Sequence, residues 1–519
     1  MILFFLAIFK PQYSFHSLGE DCIFNQTLDH FSLSDNRFFK QRCFINKNYY
    51  RNVSSSPIIV YIGGESSFNP SSIQKGPVVE IANKTHALIA GLEHRFYGES
   101  QPFDRLNSTT LRYLTVDQAL EDLASFITHL RRTYCFNNTC SVLVVGGSYA
   151  GAFSSWFRLY YPHLANYSWS SSGPINIKKI FPEYDISLAS TLRKYNESCY
   201  SNTKFLLSSY HQIVASQDPQ KISEFFNKYS IPDTVDIYSS LSVIYDIFSY
   251  AIQYNKRYKL INDYCNQQSG EEPNEQALRD LSTNLLKLLD TTADSLDPFF
   301  FDDEDPFGPN AAMRCWTWMT CNELGWFATT AGFKSSFINI SYFERMCSAL
   351  FDNMTIGNIR SVSRRYGGTK PRSTYVVFTQ GLDDPWSTVG VESIDPSNSQ
   401  HLLTIKGGSH CEDLSAESDQ DSEDLKTVRA KVVEILSGWL NDECDKKCMM
   451  GKCLHDRCFC EEGWSGEYCT IQVVSSIRFW QVAITALVLP VTIMILIGGT
   501  AWWLFKRMHE EQFLLSLRY

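Results

Sequence analysis

The hexapeptide Gly146-Gly-Ser-Tyr-Ala-Gly151 places a serine among small residues, directly after the β-branched run Ser141-Val-Leu-Val-Val145. A serine on a sharp strand-to-helix turn needs such neighbours, because a larger side chain would collide with the flanking backbone. The spacing is that of a Gly-x-Ser-x-Gly elbow at Gly146, Ser148 and Ala150, with Ala in the last place and Gly151 one step later. A hydroxyl is a poor nucleophile until a histidine takes its proton and a carboxylate steadies that histidine. In this kind of site the partners follow in the order serine, acid, histidine. Gly381-Leu-Asp-Asp-Pro-Trp386 offers Asp383 and Asp384, and Gly407-Gly-Ser-His410 offers His410, each just after a strand-like run. Asp-Asp-Pro is also turn chemistry, and His410 is one histidine of eleven; their order and placement favour a catalytic reading. The oxyanion formed on the substrate needs fixed donors. Tyr149, after the nucleophile, and Gly64, in the loop Gly63-Gly-Glu-Ser66, are the candidates.

These loops must be held by a rigid sheet. Pro57–Gly64, Ala87–Leu92, Ser141–Val145, Thr374–Phe378 and Leu402–Lys406 read as strands. Val116, Ala119, Leu120, Leu123, Phe126, Ile127 and Leu130 repeat at helical spacing. Strand, helix and strand in that rhythm predict a parallel sheet with crossover helices. Between Ile180 and Leu350 the pattern turns helical, which predicts a helical insertion inside the sheet domain.

At 519 residues the chain accommodates two or three domains, at roughly 100 to 200 residues each. A net charge of −10 without a basic run excludes nucleic acid as a partner. Sixteen cysteines point to an oxidising compartment, as do nine glycosylation sequons at Asn25, Asn52, Asn83, Asn107, Asn137, Asn166, Asn196, Asn339 and Asn353. Residues 1–17 read as a signal peptide without a positive n-region. Residues 479–505 carry no charge and are long enough to span a bilayer; Trp480, Trp502 and Trp503 stand near the ends, with Lys506-Arg507 as the positive-inside flank. This predicts a single-pass type I protein with its catalytic domain lumenal or extracellular, in the endosome and lysosome or at the cell surface, and a cytoplasmic tail at 506–519. The cysteine pattern from Cys444 to Cys469, with Gly463-Trp-Ser-Gly466, resembles an EGF-like module at 442–470. That resemblance implies pairs Cys444–Cys453, Cys448–Cys458 and Cys460–Cys469, and a docking surface for a protein partner.

The segment from Asp21 to Leu440 resembles the serine carboxypeptidase S28 family. The resemblance is carried by Leu28-Asp-His-Phe31 with Asp35-Asn-Arg37, Gly91-Leu-Glu-His-Arg-Phe-Tyr-Gly98, Leu111-Arg-Tyr-Leu114, the serine hexapeptide, Tyr161-Pro-His163, Asp384-Pro-Trp386 and Gly408-Ser-His410. It implies an α/β-hydrolase domain at 21–178 and 361–441, interrupted by a helical cap at 179–360. It further implies Ser148 as nucleophile, Asp384 as the orienting acid, His410 as general base, and an exopeptidase with post-proline preference. Trp386 is expected to line the S1 pocket. In the cap, Trp316-Thr-Trp-Met-Thr-Cys-Asn-Glu-Leu-Gly325 has Met319 where the family pattern has Gln, which leaves Met319 and Glu323 as candidate substrate contacts. No cofactor and no metal are called for. The membrane is an expected partner, and a homodimer is compatible with the sequence. Carboxypeptidase and dipeptidyl peptidase action stay open. A non-catalytic receptor or adhesion protein is the alternative reading, and a lipid esterase a third.

Overall fold

The computed structural model describes residues 20–51, 56–135, 140–289, 291–333, 335–441, 448, 450–454, 457–473, 500, 502–504 and 506–508. It divides into two units, Met1–Lys446 and Lys447–Tyr519.

The first unit is built on an eight-stranded sheet. In chain order its strands are β1 (Glu20–Thr27), β2 (Phe38–Asn46), β3 (Ile58–Ile62), β4 (Leu88–Leu92), β5 (Val142–Gly147) and β6 (Tyr167–Ser171); after the short β7 (Lys178–Ile180) and β8 (Gly325–Phe327), which pair with each other, come β9 (Val376–Gly381) and β10 (Gln400–Ile405). Their spatial order is β1-β2-β4-β3-β5-β6-β9-β10. β2 runs antiparallel to both neighbours, and all other pairs are parallel. Strand side chains alternate between faces. Ile58, Val60, Ile62, Val142 and Val144 therefore join the core under the helices at Val116–Tyr134 and Tyr149–Tyr160, while Ile59, Leu143, Val145 and Val377 join a second core under Pro77–Thr85 and Glu423–Asn441. A sheet buried on both faces explains the near-continuous apolar strands.

The expected strands and the helix at Val116 are present. The antiparallel β1–β2 start adds an edge, closed by a Cys22–Cys43 disulfide. Between β6 and β9 lie the predominantly helical residues of the insertion, including helices at Pro182–Tyr195, Glu197–Ser216, Ile237–Gln253 and Ala311–Met319. Disulfides Cys199–Cys265 and Cys321–Cys347 brace it. Cys135–Cys140 closes a loop before β5, and Cys315 and Cys411 are unpaired.

The residues between β4 and the helix at Val116 wrap around a buried ion pair. The Arg95 guanidinium meets Asp122 through two bonds of 2.6 Å and also donates to the carbonyls of Leu28, Thr27 and Tyr113. His30 Nε2 contacts the same carboxylate at 2.8 Å. Three segments that carry the family resemblance are thereby tied into one knot.

The second unit contains the hairpin Gly451–Leu454 with Arg457–Cys460 and the disulfides Cys448–Cys458 and Cys460–Cys469. Two of the three implied pairs are present; Cys444 lies outside the described residues, so the Cys444–Cys453 pair is not described. The signal segment also lies outside them, as does all of the expected span but residues 500 and 502–504. Among the described residues no helix is long and apolar enough to cross a membrane.

One glycosylation expectation needs correction. Asn166 is 4% exposed, and its side-chain oxygen accepts the Val142 N–H at 2.9 Å, so no glycan can be attached there. Asn25, Asn83, Asn339 and Asn353 are exposed. Asn107 and Asn196 are half-buried and cap helices. Asn52 and Asn137 lie outside the described residues.

Candidate active site

β5 runs out at Gly147, and the next helix starts at Tyr149, leaving Ser148 to make the turn with φ 59° and ψ −129°. Such a conformation is costly for a non-glycine residue and persists only where its surroundings enforce it. Here the Ser148 N–H donates to the Ser171 carbonyl on β6 at 2.9 Å, and its carbonyl accepts from the Ala152 N–H at 3.0 Å. The small neighbours have a steric reason. A Cβ on Gly146 would lie 2.1 Å from the Ala150 carbonyl oxygen, and one on Gly151 2.5 Å from the Ser171 oxygen.

β9 delivers Asp383 and Asp384, and the structure gives them different partners. Asp383 pairs with Lys194 of the insertion at 2.7 Å. Asp384 is fully buried; its Oδ1 accepts the Trp386 N–H at 3.0 Å, and its Oδ2 accepts from His410 Nδ1 at 2.7 Å. Donation from Nδ1 leaves Nε2 as the ring's basic atom. Burial opposes protonation of His410, but the Asp384 carboxylate and the Cys411 thiol outweigh it and hold the imidazole well above its ordinary pKa.

The loop that carries His410 packs against the turn that carries Ser148. A Cβ on Gly147 would lie 3.1 Å from Cys411 Sγ, so the residue after the histidine rests on the residue before the serine. The Cys411 N–H also donates to the Ser172 hydroxyl at 3.0 Å. Beneath this loop the buried Asp413 accepts from the hydroxyls of Ser171 (2.6 Å) and Thr379 (2.5 Å), joining it to β6 and β9.

The proposed oxyanion loop lies against the elbow. The Gly63 N–H is held by the Leu92 carbonyl at 2.8 Å, and Gly64 faces Ala150, whose Cβ would be 3.8 Å from one on Gly64. The side chain of Tyr149 is anchored by His94. Burial pushes the pKa of His94 down to about 4, and its Nδ1–H donates to the Arg95 carbonyl at 2.8 Å; Nε2 therefore accepts the Tyr149 hydroxyl at 3.1 Å.

Packed aromatic rings run from Tyr149, next to the serine, to Trp386, two residues after Asp384. Tyr149 packs on Trp316, Trp316 on Trp326, and Trp326 on Trp386, at centroid distances of 5.9, 6.2 and 5.8 Å. Trp386 also meets Phe181 and Tyr184 at 5.5 Å. Met319 is fully buried, and its sulfur receives the Tyr97 hydroxyl at 3.5 Å. Glu323 is placed differently: its carboxylate accepts the Val116 N–H at 2.7 Å and so serves the start of that helix.

Two residues near the site were not singled out from the sequence. Gln253, the last residue of an insertion helix, accepts Trp386 Nε1 at 3.0 Å and the Tyr184 hydroxyl at 2.9 Å through its side chain, and the His410 N–H at 3.0 Å through its carbonyl. Glu65, next to Gly64, is a buried carboxyl whose pKa burial pushes up to about 7. Its place in a loop already marked for the oxyanion was the available signal. No group of side chains suited to a metal ion occurs among the described residues.

An eight-stranded sheet with one inverted strand, and a serine at a strained turn between the fifth strand and a helix, define an α/β hydrolase. The model of the serine carboxypeptidase S28 family matches residues 26–432, and the chain belongs to that family. It is a serine-type peptidase. A Caenorhabditis elegans serine protease is 30% identical over 448 residues, covering 79% of this chain and 82% of its own. The mouse thymus-specific serine protease is 27% identical over 449 residues, covering 80% and 87%. The bovine lysosomal Pro-X carboxypeptidase is 25% identical over 463 residues, again covering 80% and 87%.

Proposed function

We propose that this chain is a serine exopeptidase that cleaves peptides after proline through an acyl-enzyme on Ser148. His410 takes the serine proton and returns it to the leaving amine, and Asp384 fixes the tautomer and stabilises the imidazolium. The N–H groups of Tyr149 and Gly64 receive the oxyanion. The observation that carries this reading is the 2.7 Å bond from His410 to the fully buried Asp384, on a loop that rests against the strained Ser148 turn. Post-proline preference is supported by the likeness to the bovine lysosomal Pro-X carboxypeptidase, 25% identical over 463 residues.

The catalytic domain is read as 21–178 and 361–441 around a cap at 179–360, in a lumenal or extracellular compartment consistent with the disulfides. An EGF-like docking module and a membrane anchor complete the reading. Ser148→Ala should leave thermal unfolding unchanged while abolishing both hydrolysis of proline-containing peptides and labelling by a fluorophosphonate. Labelling retained in that variant would overturn the assignment, and turnover of esters but not peptides would return the chain to the esterases.

A further inference from the structure

Glu65 is 5% exposed, and its Oε1 has no hydrogen-bond partner among the described residues. A buried polar atom left unpaired in a native structure calls for an explanation, and an incoming ligand is one. The titratable groups that face Glu65 are His410 and three tyrosines: Tyr97 after β4, Tyr149 at the elbow and Tyr254 from the insertion. Tyr254 in turn stands edge-on to the His410 ring at 6.0 Å. No lysine or arginine acts on Glu65 among the described residues.

The position beside His410 decides which end of a peptide this carboxyl meets. The histidine protonates the leaving amine, so its side of the serine belongs to the leaving group. When the last residue of a peptide is removed, that leaving group carries the terminal carboxylate one carbon from its nitrogen. The free amine of a substrate cleaved from its other end lies on the acyl side. With no lysine or arginine acting there, a terminal carboxylate needs a further donor, and a protonated carboxyl is one.

We propose that Glu65, in its neutral acid form, donates a hydrogen bond to the C-terminal carboxylate of the peptide and so selects carboxypeptidase action. The proton stays shared between the two carboxyl groups, and no covalent step involves Glu65. The proposal rests on the acyl-enzyme reading of Ser148. Burial keeps Glu65 protonated up to about pH 7, so recognition should fail above neutrality.

The test compares kcat/KM for benzyloxycarbonyl-Ala-Pro-Phe and its C-terminal amide from pH 4.5 to 9, a range set to bracket about 7. Taking the ratio cancels the titration of His410, which both substrates share. In the wild type the acid-to-amide ratio should be flat below about pH 6 and fall about tenfold per pH unit above about 7, the slope of a single ionisation. In Glu65→Gln, which keeps a donor that cannot ionise, the ratio should lose its pH dependence. In Glu65→Ala it should approach one throughout. A wild-type ratio independent of pH, or an Ala variant that keeps the wild-type ratio, overturns the proposal. Fluorophosphonate labelling of wild-type Ser148 separates the two readings. Labelling with a flat ratio overturns the role of Glu65 alone, whereas absent labelling overturns the acyl-enzyme and this proposal with it.

Discussion

The backbone N–H of His410 donates to the carbonyl of Gln253 at 3.0 Å, so the last residue of an insertion helix holds the chain at the histidine. The side chain of the same glutamine accepts the Trp386 indole, two residues from Asp384. Both non-nucleophilic members of the proposed triad are thus steadied from the cap.

Gln253→Leu removes the acceptor shared by Trp386 and Tyr184 but leaves the backbone link to His410. Loss of a buried acceptor costs about 1–3 kcal/mol, so unfolding should move to lower temperature and kcat/KM should fall about tenfold. Gln253→Glu restores an acceptor and should recover most of the activity. Thermal denaturation and steady-state kinetics on the three proteins test this.

Asp383 and Asp384 are adjacent but differ in employment. Asp384→Asn keeps the shape and loses the tautomer control, which should lower kcat by about 10⁴. Asp383→Asn breaks only a partly exposed pair with Lys194, worth about 0–1 kcal/mol. Its kcat should stay within a few-fold of the wild type. Equal losses in the two variants would contradict the division of roles.

Asp122→Ala leaves the Arg95 guanidinium buried without its counter-charge. Breaking one side of such a pair costs about 3–5 kcal/mol, and chemical denaturation should show a loss of that size. Arg95 still has carbonyl partners, so the lower end of the range is expected.

Burial pushes the pKa of Glu323 up to about 8. The unfolded carboxyl gives up its proton near its ordinary value, so between about pH 4.5 and 8 the folded state binds more protons than the unfolded one. Stability must then fall as pH rises through that window. Glu323→Gln keeps an acceptor for the Val116 N–H and cannot ionise. Its melting temperature should decline less between pH 5 and 8 than that of the wild type; identical slopes would refute the buried titration.

The elbow and the proposed acid and histidine could be singled out because each is a local pattern: small residues around a serine, Asp-Pro-Trp after a strand, Gly-Ser-His after another. Choosing Asp384 over Asp383 needed the family resemblance, since adjacent carboxylates differ only in what the fold puts beside them. Gln253 lies 157 positions before His410 and carries no local mark; only the packing of the insertion makes it a partner. Asn166 satisfied a three-residue glycosylation pattern, but burial depends on the sheet and not on the triplet. The place of β1 and β2 at the sheet edge was equally hidden, because strand order is a matter of long-range pairing.

The carbonyl of Gln253 also bears on how such enzymes can be re-engineered. A transplant that exchanged the insertion for another in order to alter substrate choice would take this tether away, and so would disturb the proposed proton transfer as well as selectivity. The two properties share a hinge point, so they can be expected to change together when the insertion is replaced.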